Sequence, residues 1–209
     1  MQTIYLASGS PRRREILENL GYTVLRLPAE IDETPFEQEN AQDYVERMAR
    51  EKNTAALTQW RDIHADEPVY PILTADTTVA YKGQILGKPE SEKHAAEMLS
   101  MLSDSTHQVL TAVCIYWKGQ TEALVQQSDV RFRKIDEEEI EAYVACGEPM
   151  DKAGAYGIQG LGGIFVDHLH GSFTGVMGLP VSETALLLKK LGLTTPPFSD
   201  GLKFSDGLK

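Results

Sequence analysis

Three places in this chain put charged side chains where its own patterning argues against them. In Ser8-Gly9-Ser10-Pro11-Arg12-Arg13-Arg14 a short apolar run meets a helix start. The first helical turn then carries arginines, although the helix dipole favours acidic residues there. An anion opposite them resolves the conflict, because free backbone N–H groups, two hydroxyls and guanidinium forks together make a phosphate cradle. A surface arginine cluster paired with nearby glutamates is the plainer reading. The second place is Lys52. Ala41, Tyr44, Val45, Met48, Ala55 and Ala56 mark one stripe of a helix, and at about 100° per residue Lys52 falls near the centre of that stripe. Its ammonium either snorkels to the helix end or enters a polar cleft where an anion compensates it. The third is Asp76 in Ile72-Leu73-Thr74-Ala75-Asp76-Thr77-Thr78-Val79-Ala80, a carboxylate inside an apolar, β-branched run. A buried carboxylate needs a partner, a metal or an active-site reason. Thr77 beside it, Lys88 in Leu86-Gly87-Lys88-Pro89 and Glu33 in Ala29 to Thr34 could reach the same cleft or stay solvated.

These residues need elements to carry them. Thr3 to Ala7 reads as a buried strand and Pro11 to Leu20 as a helix, with Ser10 at its cap position and Gly21 at its end. A helix is expected over Ala41 to Gln59, a strand over Val69 to Ala80, a hairpin turn at Lys82-Gly83, and a helix over Ser91 to Leu102. Val109 to Trp117 reads as a central strand. Lys118-Gly119 turns it into Glu122 to Phe132, and Asp136 to Ala145 is an acidic amphipathic helix. Glycine is frequent from Gly154 to Gly178, which predicts tight turns and a ligand-lining wall rather than long elements. A last helix, Val181 to Leu191, offers Leu186, Leu187 and Leu191 for packing. A single two-lobed domain over residues 1–194 is the expectation, followed by a disordered tail, 195–209, in which FSDGLK is duplicated.

Composition narrows the function classes. The chain has 209 residues with 42% hydrophobic and 24% charged, an ordinary globular composition that excludes bulk disorder. No apolar run approaches a membrane span, and the start lacks a signal peptide's pattern, so a cytoplasmic protein is expected. The net charge of −11 argues against nonspecific nucleic-acid binding. Two cysteines make neither a disulfide scaffold nor a metal pair, and five histidines show no zinc-hydrolase spacing. His168-Leu169-His170 is read as a hairpin edge. No GxxxxGK[ST] loop, GxSxG elbow or helix-opening GxGxxG is present.

Taken together, SGSPRR at 8–13, AREK at 49–52, ADT at 75–77, Lys88-Pro89, DKAGAYGIQG at 151–160 and GLPVSET at 178–184 resemble the Maf family of nucleoside triphosphate pyrophosphatases. The resemblance runs in order and spacing to about residue 192. It implies an α/β fold: a mixed central sheet flanked by helices, in two lobes around a cleft, related to the inosine triphosphate pyrophosphatases. It further implies hydrolysis between the α and β phosphates with a divalent cation, Mg²⁺ or Mn²⁺, whose ligands are not identified. By match of position, Asp76 is the proton acceptor. Lys52, Lys88 and Glu33 share its catalytic cleft, and Ser8, Ser10, Arg12 and Arg13 belong to the anion-binding loop. Arg12, Thr77 and Gln159 match the branch acting on dTTP and UTP. Thr74 stands where that family has a glycine. Alternatives are the sister branch acting on 7-methyl-GTP and a nucleotide-sensing regulator without turnover. The resemblance also implies a homodimer, with a small nucleotide as the only other partner.

Overall fold

The chain alternates short strands and helices, and a computed structural model describes residues 2–194. The duplicated FSDGLK tail lies outside the described residues. The strands are β1 (Thr3–Leu6), β2 (Thr23–Arg26), β3 (Ile72–Tyr81), β4 (Gln84–Leu86), β5 (Thr106–Trp117), β6 (Gln120–Phe132) and β7 (Val166–His170). The helices are α1 (Pro11–Asn19), α2 (Ala41–Ile63), α3 (Glu92–Leu102), α4 (Glu137–Ala145), α5 (Phe173–Met177) and α6 (Val181–Lys190). All seven strands form one sheet in the order β2-β1-β3-β5-β6-β7, with β4 also paired to β3. β2, β1 and β3 run parallel and the remaining pairs are antiparallel, so the sheet is mixed as expected.

One edge of β3 makes the cleft. On that edge β1 pairs only with Ile72 and Leu73, and β4 pairs only with Val79 to Tyr81. Residues 74–78 therefore have no strand partner there, although β5 covers their other edge without a break. β1 ends at this gap and the chain turns through Ser8-Gly9-Ser10 into the N-terminus of α1. Successive strand residues point to opposite faces, so Asp76 lies on the face covered by α2 and Thr77 on the face toward α1.

Each face has its own core. Ile16, Leu17, Leu187 and Leu188 from α1 and α6 pack with Leu73, Ala75, Val113 and Ile115. Val45 and Ala49 of α2 cover Ala112 and Cys114. A separate cluster, built on α3 and α4 with Phe132, Tyr156 and Phe165, forms the second lobe. Both expected hairpin turns are present as left-handed pairs, Lys82-Gly83 and Lys118-Gly119, the backbone that two-residue turns between twisted strands require.

The structure corrects several sequence expectations. α2 runs one turn further, to Ile63, because Trp60 packs on Tyr5 at 4.9 Å between ring centroids. β3 begins at Ile72 rather than Val69, since Pro71 precedes it and Val69 is exposed. In α6 the packing stripe passes through Thr184, Leu187 and Leu188, and Leu186 faces solvent. Ser10 occupies the cap position of α1 without making a side-chain cap bond. β2 was not anticipated: it is a four-residue edge strand with no buried face to give it a period. β7 ends the sheet with His168 and His170 exposed, the edge that sequence favoured.

Candidate functional site

Ser8, Ser10, Arg12, Arg13, Glu33, Lys52, Asp76, Thr77, Lys88 and Gln159 all line one cleft of about 680 Å³, a volume suited to a small-molecule ligand. The third arginine of the run, Arg14, turns outward to Glu18. Against the chain's charge of −11, five cations and three carboxylates line this cleft. The excess of positive charge is therefore local and suits a polyanion.

At the gap in β3, Lys52 bridges two carboxylates. Its Nζ lies 2.7 Å from Asp76 Oδ1 and 2.6 Å from Glu33 Oε1. The Lys52 and Asp76 side chains are only 11% and 13% exposed, so their charges meet out of bulk water. The backbone that presents them is tied down from behind. Thr74 Oγ1 donates to Ala49 O at 2.7 Å, and Asn53 Nδ2, one residue past Lys52, donates to Ile72 O at 3.2 Å and Cys114 O at 3.3 Å. Thr74 thus pins α2 to β3.

Glu33 arrives from a different source, a stretch over 27–40 with no helix or strand. Arg47 of α2 staples that stretch down. Its guanidinium donates to both Glu39 carboxylate oxygens at 2.7 Å and to Thr34 O at 3.1 Å, and it stacks 3.8 Å from the Phe36 ring centre. Tyr44 adds a hydroxyl bond to Glu33 O at 3.0 Å. Burial alone would raise the Glu33 pKa, but the Lys52 ammonium holds it below the usual carboxylate range. Burial, with the Asp76 and Glu33 charges, pushes the Tyr44 phenol up to about 12. This hydroxyl stays a donor.

On the other face Arg13 is buried, and each of its three nitrogens donates a hydrogen bond. Nε donates to Gly178 O at 2.8 Å, Nη1 to Ser8 Oγ at 2.9 Å and Nη2 to Thr77 Oγ1 at 3.0 Å. No carboxylate lies within ion-pair distance among the described residues, and burial lowers its pKa. Its charge therefore acts on the cleft as a field. Ser8 Oγ also accepts from Ser10 N–H at 3.2 Å, which shapes the Ser-Gly-Ser loop. Thr77 continues the chain of bonds to Thr111 at 2.9 Å, and Thr111 donates to Gly175 O at 2.8 Å. The glycine-rich wall is thereby fastened to β3 and β5.

That wall approaches the sheet closely. Gly154 has φ +67° and donates to Gly87 O at 3.0 Å, and a Cβ there would lie within 3.0 Å of Val79, so only glycine fits. Lys88, next to Gly87, is exposed and close enough to lower the Glu33 pKa further. Gln159 presents an exposed carboxamide with no hydrogen bond to the other described residues. The wall also brings in Asp151 and Lys152, which the sequence did not single out as site residues. Their clue was in the DKAGAYGIQG motif itself.

Among the described residues no group of three His, Cys, Asp or Glu could hold a metal ion alone. Asp76 and Glu33 each spend one oxygen on Lys52, and Asp76 Oδ2 and Glu33 Oε2 have no hydrogen bond among the described residues. Two hard oxygens beside an anion cradle fit a Mg²⁺ or Mn²⁺ ion that takes its other ligands from phosphate and water.

A mixed sheet with a small-molecule cleft at an interrupted strand edge, lined by a Lys-bridged carboxylate pair and a Ser-Gly-Ser helix start, defines an α/β protein with a cation-rich binding cleft. Comparison with known proteins is more particular. The family described as Maf-like protein matches residues 3–191, and the chain belongs to that family. It is 54% identical over 198 residues to the dTTP/UTP pyrophosphatase of Neisseria meningitidis serogroup A, covering 95% of this chain and 98% of the relative. It is 56% identical over 194 residues to a nucleoside triphosphate pyrophosphatase of Haemophilus ducreyi, covering 93% of this chain and 98% of the relative. Among solved structures, the Ham1 protein of Staphylococcus aureus aligns with 63% of this chain and 72% of its own at a TM-score of 0.41 and 15% identity, a likeness too slight to carry an argument. No helix among the described residues is long and apolar enough to cross a membrane.

Proposed function

We propose that the protein hydrolyses dTTP and UTP to the nucleoside monophosphate and pyrophosphate. The observation that carries this reading is Lys52, whose ammonium joins Asp76 and Glu33 at the open edge of β3, in the same cleft as the Ser8–Arg13 loop. Near-full-length relatives named dTTP/UTP pyrophosphatase support it.

In this mechanism the triphosphate lies across the Ser-Gly-Ser loop and the first turn of α1, where backbone N–H groups and Ser8 and Ser10 meet its oxygens. Arg12 and Lys88 contact phosphate directly, and buried Arg13 adds positive charge from beneath the loop. These groups offset charge that builds on the departing pyrophosphate. Asp76 takes the proton from the attacking water, while Lys52 fixes the orientation of its carboxylate and of Glu33. Glu33, with the oxygen of Asp76 that Lys52 leaves free, would hold a divalent cation beside the phosphates, and that ion would supply charge neutralisation. Gln159 can both donate to O4 and accept from N3–H, the edge that thymine and uracil share. The family resemblance groups Arg12 and Thr77 with Gln159 in the preference for pyrimidines; Arg12 acts there through the phosphates, and Thr77 through Arg13, whose Nη2 donates to it. A homodimer and a cytoplasmic setting belong to the same reading and rest on the family resemblance.

The test is pyrophosphate release from a panel of triphosphates with Mg²⁺ or Mn²⁺, analysing both products. Conversion of dTTP and UTP ahead of CTP, ATP, GTP and 7-methyl-GTP is expected. Preference for 7-methyl-GTP would overturn the base assignment, and tight dTTP binding without turnover would replace the enzyme with a sensor.

A further inference from the structure

The wall opposite Lys52 holds a second arrangement of charge. Asp151 gives its two carboxylate oxygens to two different cations: Oδ1 lies 2.6 Å from Lys152 Nζ, and Oδ2 lies 3.6 Å from Arg12 Nη1. All three side chains line the cleft. The cations are withdrawn from solvent, with 14% of Lys152 and 25% of Arg12 exposed, whereas Asp151 is 65% exposed. Lys152 is also built into the wall. Its stem runs so close to Gly157 that a Cβ there would lie 2.8 Å from Cε, and its Nζ donates to Glu148 O at 2.5 Å. Arg12 is fixed at the second position of α1, beside the Ser-Gly-Ser loop. One anchored ammonium and one guanidinium held by nothing else among the described residues share a loosely held carboxylate, which is the geometry of an anion site filled by the protein's own side chain.

We propose that Arg12 and Lys152 form a subsite for the oxygens of a polyphosphate, and that Asp151 is the internal anion that occupies it at rest and yields it on binding. The identification of the ligand as substrate triphosphate and product pyrophosphate rests on the function proposed above. The exchange is easy because an ion pair whose acid stands mostly in water is weak. A polyphosphate brings several charges and can meet the Arg12 fork with two oxygens, so it outcompetes one carboxylate. Once the bond is cut, Asp151 competes with pyrophosphate for the same two cations and promotes its departure.

The two neighbours must then have opposite effects on product affinity. Calorimetric titration of inorganic pyrophosphate, at fixed Mg²⁺, into the full-length protein is the test. Asp151→Asn removes the competitor and should tighten binding about fivefold; Lys152→Met removes a cation and should weaken it about tenfold, the scale of one charge-assisted hydrogen bond. Methionine keeps an unbranched stem against Gly157, and thermal midpoints verify that both variants fold. Unchanged or weaker binding in Asp151→Asn, or shifts of the same sign in both variants, would overturn the subsite, since a purely structural pair loses affinity from either side. Opposite shifts in a protein that fails to turn over dTTP would uphold the subsite and overturn the enzyme reading instead.

Discussion

Two lysine–aspartate pairs face each other across this cleft, and their contact distances hardly differ: 2.7 Å for Lys52–Asp76 and 2.6 Å for Lys152–Asp151. What differs is everything around them. Asp76 is mostly shielded in a strand covered on one edge by β5, and Lys52 comes from a helix locked to that strand by Thr74 and Asn53. Asp151 ends a short 3₁₀ turn and stands in water. The first pair is rigid, so it suits a group that must meet an attacking water in one geometry. The second can open, so it suits a group that must let go. Distance alone does not distinguish a catalytic pair from an exchangeable one; burial and backbone support do.

The contrast can be broken at its support. Arg47→Met would release the 27–40 stretch from α2 while leaving Lys52 and Asp76 untouched, so Glu33 would lose its fixed place on Lys52. Loss of kcat/KM for dTTP by about ten- to hundredfold is expected for such a displacement, and in a Glu33→Gln background the same change should add little. Steady-state kinetics of the two single variants and the double variant check this.

A different effect, on stability rather than turnover, sets in on the side of the glycine-rich wall. His107 is buried behind it, sharing a 2.8 Å hydrogen bond with Tyr156, which lines the cleft, and its Nδ1 has no hydrogen-bond partner among the described residues. Burial drives its pKa down to about 4. In the unfolded chain a histidine titrates near 6.5. Between these values the unfolded chain binds a proton that the folded chain refuses, so this contribution is complete above about pH 6.5 and is lost as pH falls toward 4, by up to about 3 kcal/mol. Urea unfolding from pH 7 to 4.5 should show a shallower decline in His107→Gln than in the native chain; identical slopes would contradict this.

How much of this was readable beforehand follows the same division. Asp76 and Lys52 stood out because each interrupts an apolar pattern, and such interruptions are visible in one dimension. Arg12 and Arg13 stood out against the helix dipole. That Arg13 spends its donors on Gly178, Ser8 and Thr77 was not readable, because one of those contacts spans 165 residues. Asp151 and Lys152 broke no pattern, and His107 entered a strand without disturbing it. The strands and helices were legible where one face is buried, and β2, an edge strand with no buried residue, was not. The open edge of β3 that makes the cleft depends on where β1 stops and β4 starts, a matter of pairing that no local pattern records.

Cleavage is assigned to the Lys52–Asp76–Glu33 cluster, with Asp76 as the base. Measuring dTTP binding and turnover together in Asp76→Asn tests that assignment most directly. The variant is expected to keep binding dTTP while its turnover falls by about a thousandfold, the scale for removal of a general base. Near-normal turnover in that variant would contradict it.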